Sequence, residues 1–300
     1  MKWCRDELRI AKPNTLRRRA VGGMLVAVIA MWGALLLGTL PVSASTPATG
    51  TLSGAALAAA KQAAFPNQPA LQVSNLSEWT ESRLAIEAPL RESVGPDVLC
   101  CGGGTPSSAT VGADQQTQLN NYYCGPATAS ETLGDLGRSV SQTTAASLLA
   151  TTTNGTNWAG GDNVPHTAPG YGYSNSPMTH LLNYKLGEWW YGPVPLPWTP
   201  TAAQTTTYEG DLEGDILDGY PVVSADLEVA GGPHLNGQPI DESINHWVMI
   251  RGYSSYGATT AYEDSATYFD QSPWYWMVPA YSNISSATLV VIMGGFGYIW

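Results

Sequence analysis

The sequence predicts an α+β fold in which helices come first along the chain and an antiparallel sheet follows. Between residues 124 and 219, small apolar stripes are bounded by capping signals, which is typical of helices. From residue 221 to 293 the pattern changes to short runs rich in Val, Thr, Tyr and Trp, separated by turns, which favours strands. The chain has 11 Trp and 15 Tyr but 3 Phe, so aromatic rings with polar tips must fill much of the core.

Capping residues and apolar runs place the individual elements. Pro177 suits the first turn of a helix because that position needs no N–H donor, and Gly187 suits its end. Helices are expected at 52–64, 124–136, 141–150, 176–185 and 212–217. Strands are expected at 221–227, 246–253, 259–264, 274–278 and 288–293.

Residues 1–44 have the organisation of a secretory signal peptide. Three arginines at 17–19 end a charged region, an apolar run fills residues 20–40, and Val42-Ser43-Ala44 gives the small-x-small pattern that signal peptidase recognises. The apolar run is close to membrane-spanning length, so an uncleaved anchor through residues 20–40 is the alternative. The sequence therefore predicts a secreted or extracytoplasmic protein, with or without an anchor.

The charge of the chain after residue 44 excludes some partners. The export segment holds seven of the 13 Lys and Arg residues and two of the 24 Asp and Glu residues, which leaves 6 basic and 22 acidic residues and a net charge near −16. Such an acidic chain is a poor match for nucleic acid or for an anionic lipid surface. We therefore expect no nucleic-acid partner, and no membrane partner once the signal is cleaved.

The cysteine count predicts at least one unusual thiol. Cys4 lies in the export segment, which leaves Cys100, Cys101 and Cys124, an odd number for an exported chain. Cys100 and Cys101 could pair with each other and leave Cys124 free. Alternatively, one of them bonds Cys124 and keeps it latent.

Residues 45–110 differ in composition from the rest and form a predicted N-terminal extension. Residues 76–94 carry a rough helical stripe of apolar side chains, and residues 102–108 read as a flexible Gly-rich linker. One interpretation is an extension that packs on the domain or stays mobile. The other is a pro-segment that blocks the site until proteolysis. A single catalytic domain would then span residues 111–300.

Cys124 is the first candidate for a chemical role. Gly125 and Pro126 follow it where a polar loop gives way to a helix, so the thiol is expected at a helix N-terminus, which stabilises a thiolate. Gly125 is expected to leave room for a substrate backbone. Gln118, six residues upstream, could share an oxyanion with the backbone N–H of Cys124. The alternatives without a catalytic role are a buried structural cysteine for Cys124 and a surface glutamine for Gln118.

His246 and Asp264 are expected to meet across a hairpin. Two strand-like runs flank a turn centred near Ser255, which would bring residue 246 opposite about residue 264. Asp264 would then hold the ring of His246 in one tautomer and stabilise the imidazolium. The alternative is a core histidine with an unrelated surface aspartate.

The remaining polar residues predict no metal centre. His166, His180 and His234 are scattered, and the sequence lacks the spacings of His and Cys that are typical of zinc sites. An acidic cluster at 211–218 reads as a solvated helix face, with weak calcium binding as the alternative. We expect no cofactor.

These motifs together resemble the papain-fold cysteine peptidases related to bacteriocin leader-processing domains, over roughly residues 113–270. The resemblance rests on Gln118, Cys124-Gly125-Pro126-Ala127, Gly219-Tyr220-Pro221-Val222, the run 246–253 that begins with His246-Trp247, and Asp264. It implies a papain-like α+β fold and a Cys124-His246-Asp264 triad with Gln118 in the oxyanion role. The family often follows its Asp with Pro, whereas Ser265 stands here.

The sequence thus predicts an exported cysteine peptidase that acts on peptides or proteins. The family's transporter-linked members cut after a double glycine, a specificity that this chain is not expected to share because it has no transporter segment. Two alternatives remain: a cell-wall peptide amidase or acyltransferase on the same fold, and an inactive exported binding module.

Overall fold

A seven-stranded antiparallel sheet is the framework of the protein. The computed structural model describes residues 52–74, 105–112 and 114–300. The strands are β1 (Ala109–Thr110), β2 (Pro193–Pro195), β3 (Val222–Glu228), β4 (Ile244–Ser254), β5 (Thr259–Glu263), β6 (Tyr281–Ser285) and β7 (Gly297–Ile299). Their order is β2-β7-β3-β4-β5-β6, and β1 pairs with the end of β4.

Helices cover both faces of this sheet. They are α1 (Gly54–Ala64), α2 (Cys124–Asp135), α3 (Gln142–Leu148), α4 (Pro177–Leu186), α5 (Ala202–Asp218) and α6 (Ser286–Met293). Alternate residues of a strand point to opposite faces, so Val223 and Trp247 pack in a core with α2, α3 and α4, whereas Val222 and Val248 pack in a second core with α5 and α6. The predicted α+β class, with the cysteine helix packed on an antiparallel sheet, is confirmed.

The predicted helices are present, with one large difference in length. Ser141 caps α3 by accepting a hydrogen bond from the backbone N–H of Thr144, and Gly187 ends α4 in the left-handed conformation. Helix α5 begins ten residues earlier than the predicted start at 212, behind a capping box formed by Thr201 and Gln204. Three threonines and a glycine in its first half obscure the apolar stripe.

Two predicted strands are wrong. Residues 274–278 contain a 3₁₀ turn (Tyr275–Met277), and the strand of this region is β6, which follows it. Residues 288–293 belong to helix α6, and the last strand is β7. A short continuous apolar run does not distinguish a buried helix from a buried strand, and here the run is buried between α5 and the sheet.

Residues 52–74 are packed onto the part of the chain that carries the sheet. The ammonium of Lys61 in α1 is buried and donates to the carbonyl oxygens of Val291, Ile292 and Gly294 at 2.7, 2.7 and 2.9 Å, at the C-terminal end of α6. The last carbonyls of a helix lack partners within it, and the lysine bonds those at this end, although the Val291 carbonyl also accepts the capping N–H of Gly294 at 3.2 Å. Leu57 is buried beside Gly232.

Other predictions lie outside the described residues. They are the export segment 1–44, the helical stripe at 76–94, Cys100 and Cys101, and the first residues of the Gly-rich linker. Within the described ranges, no helix is both long and apolar enough to cross a membrane.

Candidate active site

Cys124 is the first residue of α2 and is 7% exposed. Its side chain is a free thiol. Pro126 occupies the first turn of the helix, as the sequence predicts. Because the first N–H groups of a helix have no partner within it, the N–H of Cys124 is left for an acceptor outside the helix, and the helix terminus favours negative charge on the sulfur.

Gly125 serves the packing of α2, which corrects the expectation that it makes room for a substrate. A Cβ atom here would lie 2.4 Å from the hydroxyl oxygen of Thr156. The carbonyl of Thr156 accepts a hydrogen bond from the indole N–H of Trp247 at 3.1 Å, and the Thr128 hydroxyl donates to the Trp247 carbonyl at 3.0 Å. These contacts hold the N-terminal half of α2 against the residue that follows His246.

His246 and Asp264 are in direct contact. The distance from His246 Nε2 to Asp264 Oδ1 is 2.8 Å, and both side chains are buried. The predicted register is wrong by two residues, because the pairing Met249↔Glu263 continues to Asp264 opposite Val248. The side chains still meet, since diagonal neighbours on one face of a sheet lie within reach of each other.

Each member of this pair stabilises the charged form of the other. Burial alone would lower the pKa of His246, but the charge and hydrogen bond of Asp264, and then the side chain of Cys124, outweigh burial and raise it well above 6.5. Burial would raise the pKa of Asp264, but the His246 imidazolium and hydrogen bonds to the carboxylate hold it below its ordinary value. The arrangement therefore favours an imidazolium beside an ionised carboxylate.

Gln238 fixes the other oxygen of Asp264, a contact that sequence reasoning missed. Its amide Nε2 donates to Asp264 Oδ2 at 3.0 Å, while the backbone N–H of Ala266 donates to Oδ1 at 2.8 Å. Gln238 is buried in the loop between β3 and β4. A Cβ atom on the preceding Gly237 would lie 2.1 Å from the Met277 carbonyl oxygen, so this loop lies tightly against the segment before β6.

Gln118 is held at the site by Ser265. The backbone N–H of Gln118 donates to the Ser265 carbonyl at 2.8 Å, and the Ser265 hydroxyl donates to Gln118 Oε1 at 3.3 Å. Gln118 Nε2 donates one of its two hydrogens to the Asn120 carbonyl at 2.9 Å. The serine that replaces the family's frequent proline thus ties the glutamine to the segment after Asp264.

A second carboxylate lies next to His246. Asp226 on β3 is the direct register partner of His246 on β4 and is fully buried. Burial raises its pKa to about 7, against a hydrogen bond from Ser224 and the charges of His246 and Lys61, which lower it. Burial thus favours the protonated form of Asp226, whereas the lowered pKa of Asp264 favours an ionised carboxylate there.

An open cleft of about 250 Å³ leads to these residues. Gln118, Cys124 and His246 all line it. Its other lining side chains are of mixed character and include the polar Asn121, Glu242 and Asn245 and the aromatic Phe269 and Trp274. Trp274 lines the cleft, whereas the nearby Trp276 is 70% exposed and is not part of the lining.

The other histidines lie outside this cleft. Both ring nitrogens of His234 contact carbonyl oxygens, those of Gly232 at 3.0 Å and of Glu242 at 2.9 Å. His180 lies 2.6 Å from Asp162 through Nδ1 and 2.9 Å from the Ser174 carbonyl through Nε2. These rings therefore hold loops together.

The acidic cluster on α5 is partly turned inward. Asp215 is fully buried, and Asp211 accepts a hydrogen bond from the Tyr298 hydroxyl at 2.5 Å. The expectation of a solvated helix face is therefore wrong for Asp215, whereas Asp211 is half-buried. In the part of the chain that the structure describes, no three His, Cys, Asp or Glu side chains are grouped so as to hold a metal ion.

A family model and a solved structure are similar to this chain. The family model described as "Peptidase_C39 like family" matches residues 111–286, more than half of the chain. A solved structure, a candidate C39-like peptidase from Bacillus anthracis, is 13% identical with a TM-score of 0.38, over 65% of this chain and 96% of the other. No curated protein matches the sequence. The chain belongs to the peptidase C39 like family of papain-fold cysteine peptidases.

Proposed function

We propose that this protein hydrolyses peptide bonds through Cys124, His246 and Asp264. The observation that carries the proposal is the joint position of a free thiol at a helix N-terminus and a buried imidazole bonded to a carboxylate at 2.8 Å, on one open cleft. Family membership supports a cysteine-peptidase type of activity. Peptides or proteins are the expected substrates.

The thiolate of Cys124 attacks the scissile carbonyl carbon. Asp264 occupies Nε2 of His246, so the other ring nitrogen, Nδ1, exchanges the proton with Cys124 and with the leaving amine. The imidazolium protonates the leaving nitrogen as the acyl-enzyme forms. Water, deprotonated by the now neutral His246, then hydrolyses the thioester and returns Cys124 to the thiolate. This chemistry requires neither a metal ion nor an organic cofactor.

The backbone N–H of Cys124 and the side-chain amide of Gln118 are the proposed oxyanion donors. Gln118 Nε2 bonds the Asn120 carbonyl with one hydrogen, which leaves its second hydrogen for the substrate oxygen. Its other amide atom is fixed by Ser265. A donor held in this way needs no rearrangement when charge develops on the oxygen, and this is the main advantage of preorganised sites.

The proposed setting is outside the cytoplasm, because of the signal-like segment 1–44. Catalysis there depends on keeping Cys124 reduced. We propose residues 111–300 as the catalytic domain, supported by residues 52–74, whose contacts favour the interpretation of a packed extension over a removable one. The hypothesis that residues 45–110 form a pro-segment stays a prediction.

Replacement of Cys124 by alanine tests the proposal. We expect Cys124→Ala to abolish cleavage of casein and of peptide mixtures while the circular dichroism spectrum and melting temperature stay close to those of the parent protein. The products should carry new amino termini, read by mass spectrometry, which distinguishes hydrolysis from transfer to an amine. Cleavage that survives the substitution would refute the mechanism.

A further inference from the structure

The lining of the cleft is uneven in charge. Among the described residues that line it, Glu242 is the one carboxylate, and neither Lys nor Arg is present. His246, the other ionisable side chain beside Cys124, is engaged with Asp264. A cationic group entering the cleft therefore meets attraction without a competing positive charge from a lysine or arginine of the lining.

Glu242 is held in place from two directions. The indole N–H of Trp274, another lining residue, donates to Glu242 Oε2 at 3.3 Å. The backbone carbonyl of Glu242 lies 2.9 Å from Nε2 of the fully buried His234. The carboxylate thus stays at the cleft while its backbone is anchored to the core of the β3–β4 loop.

The neighbouring side chains suit the rest of a long basic residue. Trp274 and Pro273 line the same cleft and offer apolar surface to a methylene stem. The face of an indole ring also attracts an ammonium or guanidinium group. A carboxylate beside an aromatic ring is therefore a combination that recognises lysine or arginine rather than a neutral or acidic side chain.

We propose that Glu242 and Trp274 form a specificity subsite that selects substrates with a lysine or arginine side chain near the scissile bond. The inference rests on the proposed peptidase function and assigns it a substrate class. Because Glu242 is exposed, water and salt weaken the attraction. We expect a preference of about threefold to tenfold in kcat/KM for a basic over a neutral residue.

The test begins with a peptide mixture of proteome origin, digested by the wild-type protein and sequenced by mass spectrometry to find the positions where Lys and Arg are enriched. Three matched peptides then carry lysine, norleucine or glutamate at that position. kcat/KM is measured for the wild type, Glu242→Gln and Glu242→Lys. Glu188→Gln, the same change at an exposed acid outside the described cleft lining, controls for net charge.

The subsite predicts a lysine preference in the wild type and in Glu188→Gln, no preference in Glu242→Gln, and a glutamate preference in Glu242→Lys. The wild-type preference should shrink as ionic strength rises. A lysine preference that is absent from the wild type, or that persists in Glu242→Gln, would overturn the inference while peptide cleavage itself still stood. Absence of any cleavage of the mixture would instead count against the proposed function.

Discussion

Two buried His–Asp pairs occur among the described residues, and of these two the His246 pair lies beside the Cys124 thiol. His246 Nε2 lies 2.8 Å from Asp264, and His180 Nδ1 lies 2.6 Å from Asp162, with all four side chains no more than 5% exposed. By distance and burial alone the two pairs are equivalent. What separates them is the second ring nitrogen.

The second nitrogen of His180 contacts the Ser174 carbonyl at 2.9 Å, and its ring stacks on Tyr171 at 4.1 Å. Both nitrogens are thus used to hold the loops around α4. In His246 one nitrogen is left for Cys124 at the cleft. A His–Asp pair therefore suits acid–base chemistry when one ring nitrogen is left for a reacting group, and suits loop fixation when neither is.

Replacing the two histidines should separate these roles most strongly. We expect His246→Ala to lower kcat/KM by about 10³-fold or more, because the thiol loses its base. His180→Ala should keep kcat/KM within about threefold but lower the free energy of unfolding by about 2–4 kcal/mol, because Asp162 is left buried without its partner. Peptidase assays and urea unfolding measure the two effects.

The comparison would fail if His180→Ala lost activity at a temperature where it remains folded. It would also fail if His246→Ala kept more than a few per cent of wild-type activity.

Replacing the two aspartates should separate the same two roles, with smaller effects on activity and stability. Asp264→Asn leaves a hydrogen-bonding group of similar shape but removes the charge that stabilises the imidazolium, so kcat should fall by about 10²- to 10⁴-fold. Asp162→Asn should mainly lower the melting temperature. Steady-state kinetics and differential scanning calorimetry on both variants provide the measurement, and equal kinetic losses in the two would contradict the assignment.

The raised pKa of His246 predicts where activity ends at high pH. Because the pKa of His246 is raised, its imidazolium persists above pH 6.5. The pH profiles of Cys124 alkylation by iodoacetamide and of kcat/KM should therefore show that His246 stays charged well above pH 6.5. Above the folded pKa, kcat/KM should fall by about tenfold per pH unit as the acid for the leaving amine is lost. A fall centred at or below pH 6.5 would contradict this.

The same shift affects stability in a known direction. The folded pKa of His246 lies above its unfolded value, so its contribution is complete below about 6.5 and is lost as pH rises through the folded pKa. Asp264 has a lowered folded pKa, so its contribution is present above about 3.9 and is lost as pH falls. The free energy of unfolding, measured against pH for the wild type and for Asp264→Asn, checks this. In the wild type it should fall at low pH, where Asp264 is protonated, and at high pH, where His246 loses its proton.

The contact between His246 and Asp264 could be predicted from sequence because a hairpin is local and its faces alternate. Its register could not, since the last pair before the turn, Ser254↔Thr259, centres the turn between residues 256 and 257 rather than near 255, and a bulge at Arg251 then shifts the pairs beyond it back by one residue. The predicted contact between His246 and Asp264 still forms, because an error of two residues keeps both side chains on the same face of the sheet. An error of one residue would have moved Asp264 to the other face.

Gln238 and Glu242 were beyond sequence reasoning for a different reason. They lie in the β3–β4 loop, whose path depends on His234 contacting two carbonyls and on Gly237 packing against residue 277. No periodicity describes such a loop. The wrong strand at 288–293 has a similar origin, because burial between α5 and the sheet decides the conformation of a short apolar run.

Gln238 gives the smallest expected effect and the finest test of why the Asp264 pair is special. Gln238→Leu removes the hydrogen bond to Asp264 Oδ2 at nearly constant volume. Since that bond helps to lower the pKa of Asp264, its loss should raise the pKa. The acid limb of kcat/KM should then move to higher pH, and kcat at its optimum should fall by about threefold to tenfold with KM little changed.

Asn236→Leu is the matched control, since Asn236 is buried in the same loop and bonds the Asn283 carbonyl instead of Asp264. Both variants should lose stability, because each removes a buried hydrogen bond, at about 1 kcal/mol or more. Only Gln238→Leu should shift the acid limb. If the limb stays in place in Gln238→Leu, or moves equally in Asn236→Leu, then Gln238 merely fills space, and the fixed second oxygen of Asp264 does not contribute to the difference between the two His–Asp pairs.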